Sequence, residues 1–334
     1  NGECDVIDLG RPLLADPDYC NKLRCGKITQ IRPCISCHEG CMGRVASYSL
    51  LNCAVNPQAA RERVNAYEPI LKKKKVLIVG GGVAGCEAAR VLAIRGHQPV
   101  VYEKGSRLGG NLIPGGAPDF KEDDIALADW YTNELNRLGV HVHLNTELNE
   151  EEIKTMDYDT VILATGSKPK VFSLGDDLHT YTAEQVLLKQ KDAGKKTVVV
   201  GGGLVGCETA LWLAQNGIHV TIVEALDKVM AVNGPLCAAN KEMLEALLPF
   251  NGVEIITGAK VTEFANGEVK VDTKEGSKTI MSDSVILSVG YKEENTLYNN
   301  LQFDIPDLYL LGDAKKVSNI MYAIWDAFEV ANHI

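Results

Sequence analysis

Three glycines and one acid recur at identical spacing in two places: Gly80, Gly82, Gly85 and Glu103, then Gly201, Gly203, Gly206 and Glu224. The second set lies 121 positions after the first, and each acid follows the last glycine of its set by 18 residues. An apolar run precedes each set (Val76 to Val79; Thr197 to Val200), and the match continues through Ala89 and Ala210, Leu92 and Leu213, Gly96 and Gly217. This spacing serves dinucleotide binding. The first glycine permits a tight turn, the second lets backbone N–H groups approach a pyrophosphate, and the third lets helix and strand pack closely. The helix N-terminus then favours the phosphate charge. A carboxylate at the end of the next strand can bond both hydroxyls of an unphosphorylated ribose. One G-x-G-x-x-G is weak evidence; two in register imply two nucleotide sites and electron transfer between two nucleotide cofactors. Glu224 repels a 2′-phosphate, and Lys228 is the sole cation from Ala225 to Met230. NADH is therefore expected over NADPH.

Cysteines form the other chemical cluster. Seven of ten fall in the first 53 residues, and four have ligand-like spacing: Cys34-x2-Cys37-x3-Cys41-x11-Cys53. Soft thiolates select iron–sulfur clusters or zinc. Structural zinc more often uses two separated C-x-x-C pairs. A trio plus one, beside two nucleotide folds, fits a 4Fe-4S cluster better. The other six cysteines read as small buried hydrophobes. Two weaker signals are Leu108-Gly109-Gly110, whose glycines can lie against a flat cofactor, and Gly312-Asp313, where a carboxylate before a helix can meet a ribityl hydroxyl. The seven histidines are scattered, and His141 and His143 read as packing or surface on one strand face. No Ser-His-Asp set or carboxylate pair stands out, so no catalytic residue is assigned.

These residues need rigid elements to hold them. The pattern predicts strands at 4–9, 75–79, 98–103, 140–144 and 160–164, and helices at about 17–25 and at 83–96. It predicts a second β-α-β unit with a strand from 197, a helix at 204–216 and a strand at 219–223. Short strands follow at 253–256, 261–264 and 269–271, then 308–313 and a closing helix. Residues 31–60 read as irregular. The fold class is α/β, with two nested Rossmann-like domains. One spans 72–168 plus 289–334; the other, 169–288, is inserted in it. Ahead of them lie 1–30 and a loop and linker at 31–71. At 334 residues, 46% apolar and 23% charged, the composition is that of an ordinary soluble protein. A net charge of −10 argues against nucleic acid or anionic lipid as a partner. No apolar run reaches the ~18 residues of a membrane span, so a cytoplasmic protein is expected. Asn1-Gly2-Glu3 carries no initiating Met and no signal peptide, which suggests a piece of a longer chain.

In joint order, these motifs resemble the C-terminal half of the 2,4-dienoyl-CoA reductase family, with its 2-enoate reductases and bile-acid-inducible flavin oxidoreductases. Asp5 to Pro17 resembles the last strand and loop of an old-yellow-enzyme (β/α)8 barrel. Ile31-Arg32-Pro33-Cys34-Ile35-Ser36-Cys37 resembles the cluster loop, and the match runs through Cys53-Ala54-Val55-Asn56-Pro57 and both fingerprints to Gly312-Asp313. The resemblance implies that Cys34, Cys37, Cys41 and Cys53 ligate 4Fe-4S. It implies that Gly80, Gly82, Gly85, Glu103, Gly110 and Asp313 bind FAD, and that Gly201, Gly203, Gly206 and Glu224 bind the nicotinamide nucleotide. Gly10 and Arg11 would help hold an FMN phosphate. About seven barrel strands have no counterpart here, so most of the FMN site, the substrate pocket and any proton donor lie elsewhere.

The implied path runs from NADH to FAD, to 4Fe-4S, to FMN, and from FMN to an activated C=C bond of an enoate, dienoyl-CoA or enone. This chain is then the electron-input half. Alone it would act as a diaphorase at most. Its expected partners are a small-molecule substrate and the missing FMN barrel; self-association is left open. Two alternatives compete: a reductase subunit like the glutamate synthase small subunit, and a non-catalytic nucleotide-binding module. Leu9-Gly10-Arg11-Pro12 argues against the first, and intact glycines at both sites argue against the second. A thioredoxin-reductase-like enzyme would need a C-x-x-C after Cys53, and none is present.

Overall fold

The computed structural model describes residues 3–231 and 236–334. The chain forms two units. The first comprises the residues through Ile113, Glu122–Ser167 and Glu293–Ile334; the second comprises Pro114–Lys121 and Lys168–Lys292.

The first unit is built on a five-stranded sheet in the order Leu308–Leu310, Thr160–Leu163, Lys75–Val79, Gln98–Tyr102, His141–His143. Every adjacent pair is parallel. Val76, Leu77 and Ile78 are completely buried, as a strand covered on both faces requires. The chain leaves Lys75–Val79 toward one neighbour and later returns on its other side. A crevice therefore opens at its C-terminal end, where ligands of such sheets bind. The glycine turn sits there. The helix Val83–Arg95 follows, ending at Gly96 in the left-handed region (φ 101°), a conformation glycine adopts at little cost.

Two further helices flank this fingerprint helix. Glu122–Arg137 buries Leu127, Ala128, Trp130, Tyr131 and Leu135. Ile320–His333 buries Met321, Ala323, Ile324, Ala327, Phe328 and Ala331. Inside this layer lies an ion pair. Arg90 donates through Nε and Nη2 to both oxygens of Glu87 at 2.8 and 2.7 Å, and the Tyr131 hydroxyl donates to Glu87 at 3.1 Å. Glu87 is 0% and Arg90 3% exposed. Glu87→Leu strands a guanidinium in the core, so urea unfolding should register a loss of about 3–5 kcal/mol.

The second unit repeats the plan. Its parallel sheet runs Thr180–Thr182, Ser284–Leu287, Lys196–Val200, His219–Val223, Glu254–Ile256. The helix Leu204–Gln215 follows the second glycine turn. A three-stranded antiparallel sheet, Lys260–Ala265, Glu268–Thr273 and Gly276–Met281, completes the unit.

Several expectations need correction. Residues 4–9 form no strand; no strand among the described residues pairs with them, and Val6 and Ile7 are exposed. Unpaired backbone N–H and C=O groups gain nothing from extension alone. The helix expected at about 17–25 is present as Tyr19–Arg24, and an unforeseen short helix, Arg11–Ala15, precedes it. Residues 31–60 contain a π-turn, Glu39–Gly43, and a short helix, Arg44–Ala46. The strand at 308–313 stops at Leu310; Gly312–Ala314 is a 3₁₀ turn, and Asn319 caps the final helix.

Candidate functional site

In the first unit the fingerprint glycines have distinct duties. Gly80 has φ 107°, and an added Cβ would lie 2.3 Å from the Ala164 carbonyl oxygen. A Cβ on Gly85 would lie 2.0 Å from the Gly80 carbonyl oxygen. These two glycines hold strand, turn and helix together. Gly82 differs: it is the helix N-cap with φ −70°, and its Cβ would meet nothing nearer than the Gly110 Cα at 4.0 Å. The space a Cβ of Gly82 would occupy is therefore open, and an isolated parallel bridge joins Gly82 to Gly109 beside it. Such a cradle suits a pyrophosphate between backbone N–H groups.

Glu103 is positioned from both sides. The Gly81 N–H donates to Oε2 at 2.7 Å and the Gly105 N–H to Oε1 at 2.6 Å. The carboxylate is thus fixed at the turn with spare lone pairs for ribose hydroxyls. Sequence reasoning missed Gly81 and Gly105. The signal for Gly81 was present, because the middle glycine of the Gly-Gly-Gly run recurs as Gly202.

Asp313 lies on the turn after Leu308–Leu310. It accepts from the Ser167 hydroxyl and the Ser318 N–H, both at 3.0 Å. Burial pushes its carboxyl above the usual range against these two bonds, and Glu293 adds repulsion. Gly312 has φ 59°, and a Cβ there would lie 2.8 Å from that of Ala84. The acid is therefore brought to the edge of the fingerprint helix.

The second unit reproduces this geometry. The Gly202 N–H donates to Glu224 Oε2 at 2.6 Å, and the Leu226 N–H to Oε1 at 2.8 Å. A Cβ on Gly201 would meet the Ser288 carbonyl oxygen at 2.4 Å, and one on Gly206 the Gly201 carbonyl oxygen at 2.0 Å. Gly203 caps the helix Leu204–Gln215. Asp227, the residue after the Leu226 donor, is paired with Lys274 at 2.9 Å.

The four spaced cysteines lie in the first unit and line one pocket together with Arg11, Leu14, Ile35, His38, Gly40, Ala54 and Val55. Gly40 makes this possible. Its Cβ would be 2.8 Å from the Ala54 nitrogen, so the Glu39–Gly43 turn lies directly on the Cys53-Ala54 backbone. The Asn52 N–H seals the contact by donating to the Gly40 carbonyl at 2.7 Å. Burial pushes the Cys37 thiol up to about 12, with Cys53 and Cys41 adding repulsion. Burial raises Cys53 as well, with Cys34 adding to it and Arg32 opposing it. A buried thiolate needs an adjacent positive charge. Among the described residues no three His, Cys, Asp or Glu side chains gather as ligands of a single metal ion. Gly10 is exposed. The Arg11 guanidinium donates to the His38 ring at the cysteine pocket. His141 and His143 are exposed, and His143 stacks on Tyr102.

Two parallel sheets with glycine turns and anchored acids define a two-nucleotide oxidoreductase. Residues 74–327 match the model of the pyridine nucleotide-disulphide oxidoreductases, and the chain belongs to that family. Its fold implies FAD and a pyridine nucleotide as cofactors. Within the family the chain corresponds to the C-terminal half of the enoate and dienoyl-CoA reductases. It is 48% identical over 334 residues to cinnamate reductase of Clostridium sporogenes, covering 100% of this chain and 50% of that protein. It is 33% identical to bilirubin reductase of Mediterraneibacter gnavus over 99% of this chain and 52% of that one. A solved 2-naphthoyl-CoA reductase superposes with a TM-score of 0.93 at 29% identity, over 100% of this chain and 51% of that one. The chain spans about half the length of the curated relatives it matches. Among the described residues no helix is long and apolar enough to cross a membrane.

Proposed function

We propose that this chain is the electron-input half of a flavin- and iron–sulfur-dependent NADH oxidoreductase that reduces an activated C=C bond. The observation that carries the reading is the shared pocket of Cys34, Cys37, Cys41 and Cys53 in the unit that also holds the first glycine turn. The first unit binds FAD through Gly80, Gly82, Gly85, Glu103, Gly110 and Asp313. The second binds NADH through Gly201, Gly203, Gly206 and Glu224. When bound, a flavin accepts a hydride and a 4Fe-4S cluster takes electrons singly, which joins a two-electron donor to a one-electron carrier. The chain's own residues orient the nucleotides, fix the acids on the riboses and hold the thiolates. FMN and the substrate belong to a barrel in the parent protein, with Gly10 and Arg11 as its edge. The relatives' names, cinnamate reductase, bilirubin reductase and 2-naphthoyl-CoA reductase, support a conjugated unsaturated molecule as the substrate.

Anaerobic purification of the full-length parent tests this. It should be brown, contain iron and acid-labile sulfide, and lose flavin absorbance on adding NADH. A colourless protein indifferent to NADH would end the proposal.

Nucleotide choice gives a second test. Glu224→Ala removes the acid that repels a 2′-phosphate and frees the Gly202 and Leu226 N–H groups beside it. The ratio of kcat/KM for NADH over NADPH should fall about 10- to 100-fold, a change of ~1.4–2.7 kcal/mol. Steady-state rates with an artificial acceptor measure it.

A further inference from the structure

The closing helix Ile320–His333 presents two adjacent residues to two parts of the proposed electron path. Trp325 Nε1–H donates to the Cys53 carbonyl at 3.0 Å. The next residue, Asp326, accepts the Gly312 N–H at 3.0 Å and the Lys315 ammonium at 2.7 Å. One contact holds the backbone of the last cysteine of the pocket. The other holds the turn that carries Asp313.

The support for these two side chains is rigid. The helix is capped by Asn319, which accepts from the Tyr322 N–H at 3.1 Å. Near its other end Asn332 donates to the Ala66 carbonyl at 2.9 Å and accepts the Glu68 N–H at 3.2 Å, while Arg95 of the fingerprint helix donates to the Ala331 carbonyl at 2.7 Å. The indole is gripped as well. The guanidiniums of Arg44 and Arg61 lie 5.9 and 5.5 Å from its ring centre, within cation–π range. Arg44 follows Cys41 by three residues and Arg61 follows Cys53 by eight. The ring therefore joins the segments after two of the four cysteines to one helix.

We propose that Trp325 and Asp326 form a positioning clamp that sets the gap between the Gly312–Asp313 turn and the Cys53 corner of the cysteine pocket, and so controls electron passage from flavin to cluster. This rests on the functional reading above. The hydride from NADH brings two electrons and one proton; the electrons cross this gap one at a time, and the proton is released to solvent. Neither residue takes part in the chemistry. Both act through what they hold, and electron transfer falls steeply as the gap widens.

The test uses the full-length parent holoenzyme, two deletion variants and one restoring variant. Trp325→Phe deletes the N–H donor and keeps a ring beneath the arginines. Asp326→Ala deletes the acceptor for Gly312, and Asp326→Asn restores it. FAD content, iron content and the rate of flavin bleaching by NADH should match the wild type in all three. The reduced-cluster EPR signal, followed by rapid freeze-quench, should appear about tenfold more slowly in Trp325→Phe and Asp326→Ala, with Asp326→Asn near wild type. An unchanged EPR rate in both variants overturns the clamp. So does loss of iron in both, which makes the pair a fold element only. A wild-type parent without iron defeats the functional reading itself, a failure visible before any variant is made.

Discussion

Replacing Cys53 with serine should strip the parent protein of most of its iron while leaving its FAD in place. The cysteine trio on 34–41 is one loop, and Cys53 is the proposed ligand that closes it. The Glu39–Gly43 turn rests on the Cys53-Ala54 backbone with no room for a side chain at Gly40. The Cys53 carbonyl is tied to Trp325, and Arg32 donates to Val55 two residues on at 2.7 Å. The backbone will therefore stay where it is when sulfur becomes oxygen. What changes is the donor: a hard alcohol replaces a soft thiolate at one corner of a soft-metal site. Iron per chain should fall from about four to below one, with sulfide falling in parallel. The glycine turn and Glu103 are untouched, so flavin should remain and NADH should still bleach it. Metal analysis with a visible spectrum decides the matter. Full iron in Cys53→Ser, with normal sulfide, would remove Cys53 from the ligand set.

The nucleotide halves were legible because glycine turns leave a strong imprint. The strands Lys75–Val79 and His219–Val223 fall where the apolar runs place them, and the helices Val83–Arg95 and Leu204–Gln215 begin at the expected residues, directly after Gly82 and Gly203. Tertiary partners were harder to read. The run Val6-Ile7-Asp8-Leu9 has strand composition, yet it lacks a neighbouring strand and stays irregular. The helix Glu122–Arg137 was passed over, although Leu127, Tyr131 and Leu135 recur at helical spacing and acids fill its first turn. Glu87 and Glu208 occupy equivalent positions of the two repeats, and spacing alone does not tell their partners apart. The buried bond of Glu87 to Arg90 has no counterpart in the second copy, where Glu208 pairs with Lys121 at 3.3 Å. The same motif residue serves packing in one unit and a half-exposed ion pair in the other. The convergence of four cysteines on one pocket was inferred from spacing; the role of Gly40 in bringing Cys53 to the trio was not visible there. That contact depends on two segments lying together, which a linear spacing does not report.

The two glycines that cap and pack the fingerprint helix should respond oppositely to alanine. At Gly85 the new methyl would lie 2.0 Å from the Gly80 carbonyl oxygen, a backbone atom that cannot rotate away. Helix and strand must separate, and the layers on both sides are fully buried. Gly85→Ala should cost at least about 3 kcal/mol and lower Tm by roughly 10 °C or more. At Gly82 the backbone is at φ −70°, which alanine adopts freely, and the nearest atom to the methyl is Gly110 Cα at 4.0 Å. Gly82→Ala should unfold within about 1 kcal/mol of wild type. The methyl would instead stand in the open space before the helix N-terminus, where the pyrophosphate must touch backbone N–H groups. FAD affinity should fall about 100-fold or more, ~2.7 kcal/mol. Urea unfolding followed by circular dichroism gives the first quantity, and flavin content after dialysis gives the second. Together they separate a glycine kept for packing from one kept for a ligand. A Gly82→Ala protein that retains its FAD would mean that the pyrophosphate does not lie in this cradle.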